Sequence, residues 1–250
     1  MTGVRFRLAG ITVAVAAAVT GIIIPFTPAI AATGPFTWYG DSWCPNYYSS
    51  AGCNATTSTE ATGSSVPFYP SQVVTNGTSG TVSLDMNSAT TETGAFNTET
   101  SQLYYAPATF SEQITLPCRG SRIDNWPAFW LVTNGSWPAG GEIDVMEGLG
   151  GKAYWHYHYL NAGGQDASVY GPANGFNGCG THTYEVSWTT SAITFYYDGQ
   201  NEGNVTPGEI GVNIAAGPMF VINDYAASSE YGGPTVGNVT MEVADFTATT

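Results

Sequence analysis

The sequence predicts an all-β chain, folded as a sandwich of antiparallel sheets. Short runs that alternate apolar and polar residues recur from Gln72 onward, the pattern of strands with one buried face. Turn pairs separate these runs: Asn76-Gly77, Asn134-Gly135, Asn174-Gly175 and Asp198-Gly199. No window of 12 or more residues places apolar side chains at helical spacing. Many short strands joined by such turns stack as two layers.

Taken in order, the chain begins with a segment that is not part of this sandwich. Arg5 and Arg7 precede an apolar run from Leu8 to Ile24, and Ala29-Ile30-Ala31 supplies a small-residue cleavage site. Residues 1–31 are therefore expected to be a secretory signal peptide, cut after Ala31. The remainder, residues 32–250, is expected to be one exported catalytic domain with no membrane span. Residues 32–70 form an irregular N-terminal segment rich in Tyr, Ser, Pro and Thr.

Strands are expected at 80–86, 102–105, 109–116, 126–132 and 141–146. The series continues at 153–160, 182–189, 192–197, 218–222 and 239–246. In the run Trp126-Pro-Ala-Phe-Trp-Leu131, Trp126, Ala128 and Trp130 share one face, and Phe129 and Leu131 take the other, toward the core.

Charge narrows the partners. The chain carries a net −14, and loss of Arg5 and Arg7 leaves Arg119, Arg122 and Lys152 against 19 acids, a net −16. Such a surface repels nucleic acid and anionic membranes, and it disfavours sulfated or uronate-rich polymers. A monomer that binds a neutral ligand fits this balance. Four cysteines in an exported chain allow three pairings. Cys44 and Cys53 bracket a short loop containing Pro45 and Gly52, so they are paired, leaving Cys118 with Cys179. No Cys-x-x-Cys spacing suggests a metal, and no cofactor is expected.

The chemistry centres on Gly140-Gly-Glu-Ile-Asp-Val-Met-Glu-Gly148. On a strand Glu142 and Asp144 point one way, and Ile143 and Val145 the other. Glu147 has the wrong parity, and one extra residue at Val145-Met146, a β-bulge, returns it to the acidic face. Three carboxyls on one face repel one another and raise at least one pKa, an arrangement suited to acid/base chemistry. Retaining glycosidases use such a pair of carboxyls.

Trp137-Pro-Ala-Gly-Gly-Glu-Ile-Asp-Val-Met-Glu147 resembles the signature of glycoside hydrolase family 16, in its laminarinase-like form Glu-x-Asp-x-x-Glu. The preceding Trp126-Pro-Ala-Phe-Trp-Leu131 and the later His182-Thr-Tyr-Glu-Val-Ser-Trp188 agree with it, as do Pro218-Met-Phe-Val-Ile222 and Val243-Ala-Asp-Phe246. The resemblance implies a β-jelly roll with a concave sugar cleft, and endo-hydrolysis of a β-linked polysaccharide such as a β-1,3- or β-1,3(4)-glucan. A β-galactan or other hemicellulose, or a sugar-binding protein without catalysis, are the alternatives. Glu142 is implied as nucleophile, Asp144 as its assistant and Glu147 as acid/base. His158 is implied near the acid/base, with His156 of the same parity. Trp126, Trp130 and Trp137 are candidate sugar platforms.

The family's calcium site implies a Glu from an N-terminal strand and an Asp near the C terminus. Asp245 matches the second, and nothing in residues 32–70 matches the first. Asn223-Asp-Tyr-Ala-Ala-Ser-Ser229 also departs from the family's Leu-Asn-Leu-Ala-Val-Gly-Gly at a sugar-facing strand.

Overall fold

The computed structural model describes residues 29–47, 53, 62–78, 80–87, 91–98, 102–133, 135–172 and 176–250. Most of the expected leader lies outside these residues, as do Asn134 and the Asn174-Gly175 turn. The strands are β1 (Ile30–Ala31), β2 (Phe36–Trp38), β3 (Asp41–Trp43), β4 (Val73–Thr75), β5 (Val82–Met86) and β6 (Ala95–Asn97). Next come β7 (Ala108–Leu116), β8 (Cys118–Arg119), β9 (Arg122–Ile123), β10 (Trp126–Thr133), β11 (Glu142–Leu149) and β12 (Lys152–Leu160). The last six are β13 (Asp166–Pro172), β14 (Gly180–Trp188), β15 (Ile193–Tyr197), β16 (Gln200–Val205), β17 (Met219–Ala226) and β18 (Val239–Thr249). A one-turn helix at Pro207–Ile210 is capped by Thr206.

These strands build the expected antiparallel jelly roll. An eight-stranded sheet runs β1-β4-β5-β18-β7-β14-β15-β16, and a six-stranded sheet runs β13-β12-β11-β10-β17-β6. In β7, buried positions alternate strictly with partly exposed ones, because one face meets the other sheet and one meets solvent. Phe110, Ile114, Tyr184, Val186 and Phe195 from the larger sheet meet Phe129, Leu131, Ile143 and Val221 from the smaller one in a continuous core. In β17 all eight residues are buried. Its outer side meets apolar side chains from the N-terminal half of the chain, Phe68 and Ala95 beside Ala226 and Leu103 beside Phe220 and Ile222.

Both expected disulfides form, Cys44–Cys53 and Cys118–Cys179. Among the described residues, no helix is long and apolar enough to cross a membrane. One expected strand does not form: residues 102–105 contribute a single bridge, Tyr104 to Met219. This stretch passes from the edge of the six-stranded sheet to β7 in the eight-stranded one. Tyr104 exchanges backbone hydrogen bonds with Met219, its ring packs on Phe110 and its hydroxyl donates to Asp41, so one paired residue and its side chain hold the segment.

Candidate active site

The six-stranded sheet carries the acids, and the register shows how. Glu142, Asp144 and Glu147 lie opposite His158, His156 and Tyr154 of β12. On the other side they lie opposite Val132, Trp130 and Ala128 of β10. Both sets of partners are two residues apart, so all three acids share one face. The register slips between Asp144 and Glu147, where β11 spends three steps against two on β12. The expected bulge is present. Val145 and Met146 are both buried in the core, and the Tyr197 hydroxyl donates to the Val145 carbonyl at 2.8 Å.

Entry to β11 needs a backbone turn that only glycine makes easily. Gly141 has φ +82°, and a Cβ there would meet Ala215 and Met219 at 3.0 Å. A Cβ on Gly140 would overlap the Thr133 side chain at 2.0 Å. The Gly-Gly pair thus lets the strand start where Glu142 faces the cleft.

Each glutamate is fixed by an indole and approached by an imidazole. Trp137 Nε1 donates to Glu142 Oε2 at 3.0 Å, and Trp126 Nε1 donates to Glu147 Oε1 at 2.8 Å. His156 Nδ1 lies 3.0 Å from Glu147 Oε2. His158 Nε2 lies 3.7 Å from Asp144 Oδ2 and 3.9 Å from Glu142 Oε1. The imidazole beside Glu147 is therefore His156, where His158 was expected. The antiparallel register explains the exchange: His158 lies opposite Glu142, and Glu147 lies opposite Tyr154, one alternate position from His156 and two from His158. His156 is stacked between His158 at 5.5 Å and Tyr170 of β13 at 4.9 Å.

The structure adds a fourth carboxyl. Asp224 of β17 lies opposite Ala128, on the same row as Glu147, and is buried. It accepts the Trp130 indole N–H at 2.8 Å, so it fixes the ring that borders the acids. Its position in Asn223-Asp-Tyr marked a departure from the family pattern, which was the one trace of it in the sequence.

Burial dominates the electrostatics. It pushes the Glu142 carboxyl up to about 8, helped by the Glu147 charge and opposed by the Trp137 hydrogen bond. Asp144 is pushed well above the ordinary carboxylate range by burial and then by Glu142 and Glu147. Asp224 rises to about 7 through burial, with the Trp130 bond acting against it. Burial lowers His158, favouring the neutral imidazole. The cleft therefore holds at least one proton among its carboxyls near neutral pH.

A glycosyl hydrolases family 16 model matches residues 63–231. The chain belongs to that family. The Endo-1,3-1,4-beta-glycanase ExsH of Rhizobium meliloti is 31% identical to it over 116 residues, which cover 45% of this chain and 23% of that protein. The Beta-1,3-glucan-binding protein of Penaeus monodon is 27% identical over 126 residues, covering 42% of this chain and 34% of that one. The match thus spans about a quarter to a third of these curated relatives. A family 16 endo-glucanase from Bacteroides ovatus shares the fold with a TM-score of 0.62 at 16% identity, covering 83% of this chain and 94% of that chain.

The remaining candidates of the family 16 chain divide between the cleft and other parts of the fold. Trp126 and Trp130 are partly buried on the acidic face, and Trp137 is half exposed at its rim. His182 is engaged elsewhere, between Asp198 Oδ2 at 2.8 Å and the Cys179 carbonyl at 3.0 Å. Trp155 and Trp188 are buried in the core. At Asp245, the Tyr39 hydroxyl donates to Oδ1 at 3.1 Å and accepts the Asp245 N–H at 3.0 Å. A phenol thus bonds to Asp245, where the family pattern implies a second carboxylate. Carboxylates and histidines do gather in ligand-like threes in the cleft, as Glu142/Asp144/His158 and Asp144/Glu147/His156.

Proposed function

We propose that this chain is an exported endo-acting β-glucanase that cleaves a neutral β-1,3- or β-1,3(4)-glucan with retention. The observation that carries this reading is the convergence of Glu142, Asp144 and Glu147 on one face, with an indole N–H on each glutamate. Export is supported by the two disulfides and by the leader pattern in the first 31 residues.

In this account Glu142 attacks the anomeric carbon while Glu147 gives its proton to the departing oxygen. A covalent glycosyl-enzyme forms, and the shortened chain leaves. Glu147, now a carboxylate, takes a proton from water, whose oxygen displaces Glu142 from the opposite face, the one the departing oxygen left. Two inversions return the starting configuration. Glu142 must be ionised to attack, yet burial and the charge of Glu147 favour its protonated form. Asp144, buried between the glutamates, resolves this by keeping the proton itself and donating toward Glu142.

A neutral polymer suits the charge. Among the described residues, the ion pairs made by the cleft acids are with His156 and His158, and none is with Lys or Arg. A sulfated or uronate chain would meet four carboxyls with no fixed cation. A binding protein without catalysis has no use for the paired acids that this cleft retains.

Reducing-sugar release should be measured across laminarin, mixed-linkage glucan, agarose and xyloglucan, at low and high salt. The account expects release from the first two with little dependence on salt. Cleavage confined to agarose or to a charged polymer would replace the glucan, and binding without cleavage of any polymer would replace the enzyme.

A further inference from the structure

The family match begins at residue 63, yet part of the cleft wall comes from before it. Cys44 exchanges backbone hydrogen bonds with Asn97 of β6, at 2.7 and 3.0 Å, which lengthens the six-stranded sheet beyond its last strand. The Asn97 side-chain amide donates to the Asn46 carbonyl and, at 3.0 Å, to Asn46 Oδ1. The Cys44–Cys53 bridge closes the same segment. Asn97 lies opposite Ile222, which lies opposite Trp130, which lies opposite Asp144. The anchored segment therefore enters the cleft at the end of the row that holds the central acid.

Tyr47 is what it delivers. Its ring stacks on Phe68 at 4.9 Å and 11°, and lies 6.0 Å from Trp130 at 36°. Trp130 is itself fixed by Asp224. Two aromatic rings at a shallow angle, each immobilised from behind and partly exposed, form a wall for the apolar face of a sugar ring. The phenol also senses the charges of Asp224, Glu142 and Asp144, which, after burial, raise it and so place it in the same field as the acids.

We propose that Tyr47 is a substrate-binding residue that forms, with Trp130, a subsite for a neutral glucosyl unit on the β17–β6 side of the cleaved bond. The inference rests on the glycoside-hydrolase reading of the cleft. It gives residues 43–47 a function: they extend the binding surface with a segment outside the stretch that defines the family.

The test compares Tyr47→Ala and Tyr47→Leu with the wild-type chain. Leucine keeps apolar bulk against Phe68 and removes the aromatic face, so it separates binding from packing. Two substrates are used, laminarin and an aryl β-glucoside too short to reach the subsite, with melting temperature measured alongside. Affinity for laminarihexaose is also measured by calorimetry in a Glu142→Gln background. The ratio of kcat/KM on laminarin to that on the glucoside should fall about tenfold in both variants, mostly through KM, and hexaose affinity should weaken to match. An unchanged ratio and unchanged affinity in Tyr47→Leu, beside an active wild type, would overturn the subsite alone. Equal losses on both substrates with a lowered melting temperature would assign Tyr47 to packing and also overturn it. A wild type that cleaves no glucan would instead remove the hydrolase reading on which the subsite rests.

Discussion

Trp126 Nε1 donates to Glu147 Oε1 at 2.8 Å, across neighbouring strands of one sheet. A planar indole on β10 thus fixes the carboxyl that must give and recover a proton. Trp137 does the same for Glu142 from the rim, at 3.0 Å. The two glutamates are aimed by indole donors that carry no charge, and among the described residues neither pairs with Lys or Arg.

The Trp126 bond predicts a kinetic defect without unfolding. Trp126→Phe keeps the ring against Tyr231, whose centroid lies 5.1 Å away, and removes the donor. The expected loss in kcat/KM is about tenfold, the worth of one hydrogen bond to a charged group. Melting temperature should move little. A large fall in melting temperature with normal turnover per folded molecule would make Trp126 a packing residue.

The Asp224 carboxyl predicts a shift in pH dependence. Its charge is one of those that raise Glu142, and it also raises Asp144. Removing a like charge lowers a carboxyl's pKa. Asp224→Asn keeps an oxygen for the Trp130 indole and should therefore move the pH profile of kcat/KM toward lower pH. A profile that stays in place, or moves up, would show that Asp224 does not act on the acids through charge.

A second buried carboxyl, remote from catalysis, predicts a stability change. Burial pushes Glu112 up to about 8 from 4.5, and the bond donated by Asn223 at 2.9 Å opposes this. Between those two pH values the folded chain keeps a proton that the unfolded chain has released. This group's contribution is therefore whole below about pH 4.5 and is lost as pH rises through about 8. Glu112→Gln should be more stable than the wild type at pH 8, and the gap should close toward pH 4.5. Parallel melting curves across that range would mean that Glu112 is not protonated in the fold.

Much of this site was legible because its core is a local pattern. Alternation on β11, broken by one extra residue, was enough to put Glu142, Asp144 and Glu147 on one face and to anticipate the bulge. Parity is silent about neighbours in space. His156 and His158 share a face, and only the cross-strand register, displaced by the bulge, shows which of them meets Glu147. Asp224 and Tyr47 come from distant stretches, one on β17 and one on the anchored N-terminal segment. No local spacing connects them to the acids.

Several strands were not expected from the alternation, and two longer outer ones among them were missed for a different reason. β13 and β16 lie at sheet edges and expose many of their residues, so Gln200-Asn-Glu-Gly-Asn-Val205 carries almost no apolar alternation. Their pairing is backbone-driven, and the sequence signal is weak there. In the opposite sense, 102–105 looked like a strand because Leu103 and Tyr104 are needed for packing as the chain changes sheets.

The central claim is the division of labour between Glu142 and Glu147, and azide rescue on an activated aryl β-glucoside tests it most directly. With Glu142→Ala, azide fills the place of the nucleophile and should give an α-glycosyl azide by a single inversion. With Glu147→Ala, the glycosyl-enzyme still forms, and azide should replace water to give the β-glycosyl azide. Both variants should be nearly inactive without azide. The β product from Glu142→Ala and the α product from Glu147→Ala would reverse the roles, and near-normal turnover of either variant without azide would contradict the two-carboxyl mechanism itself.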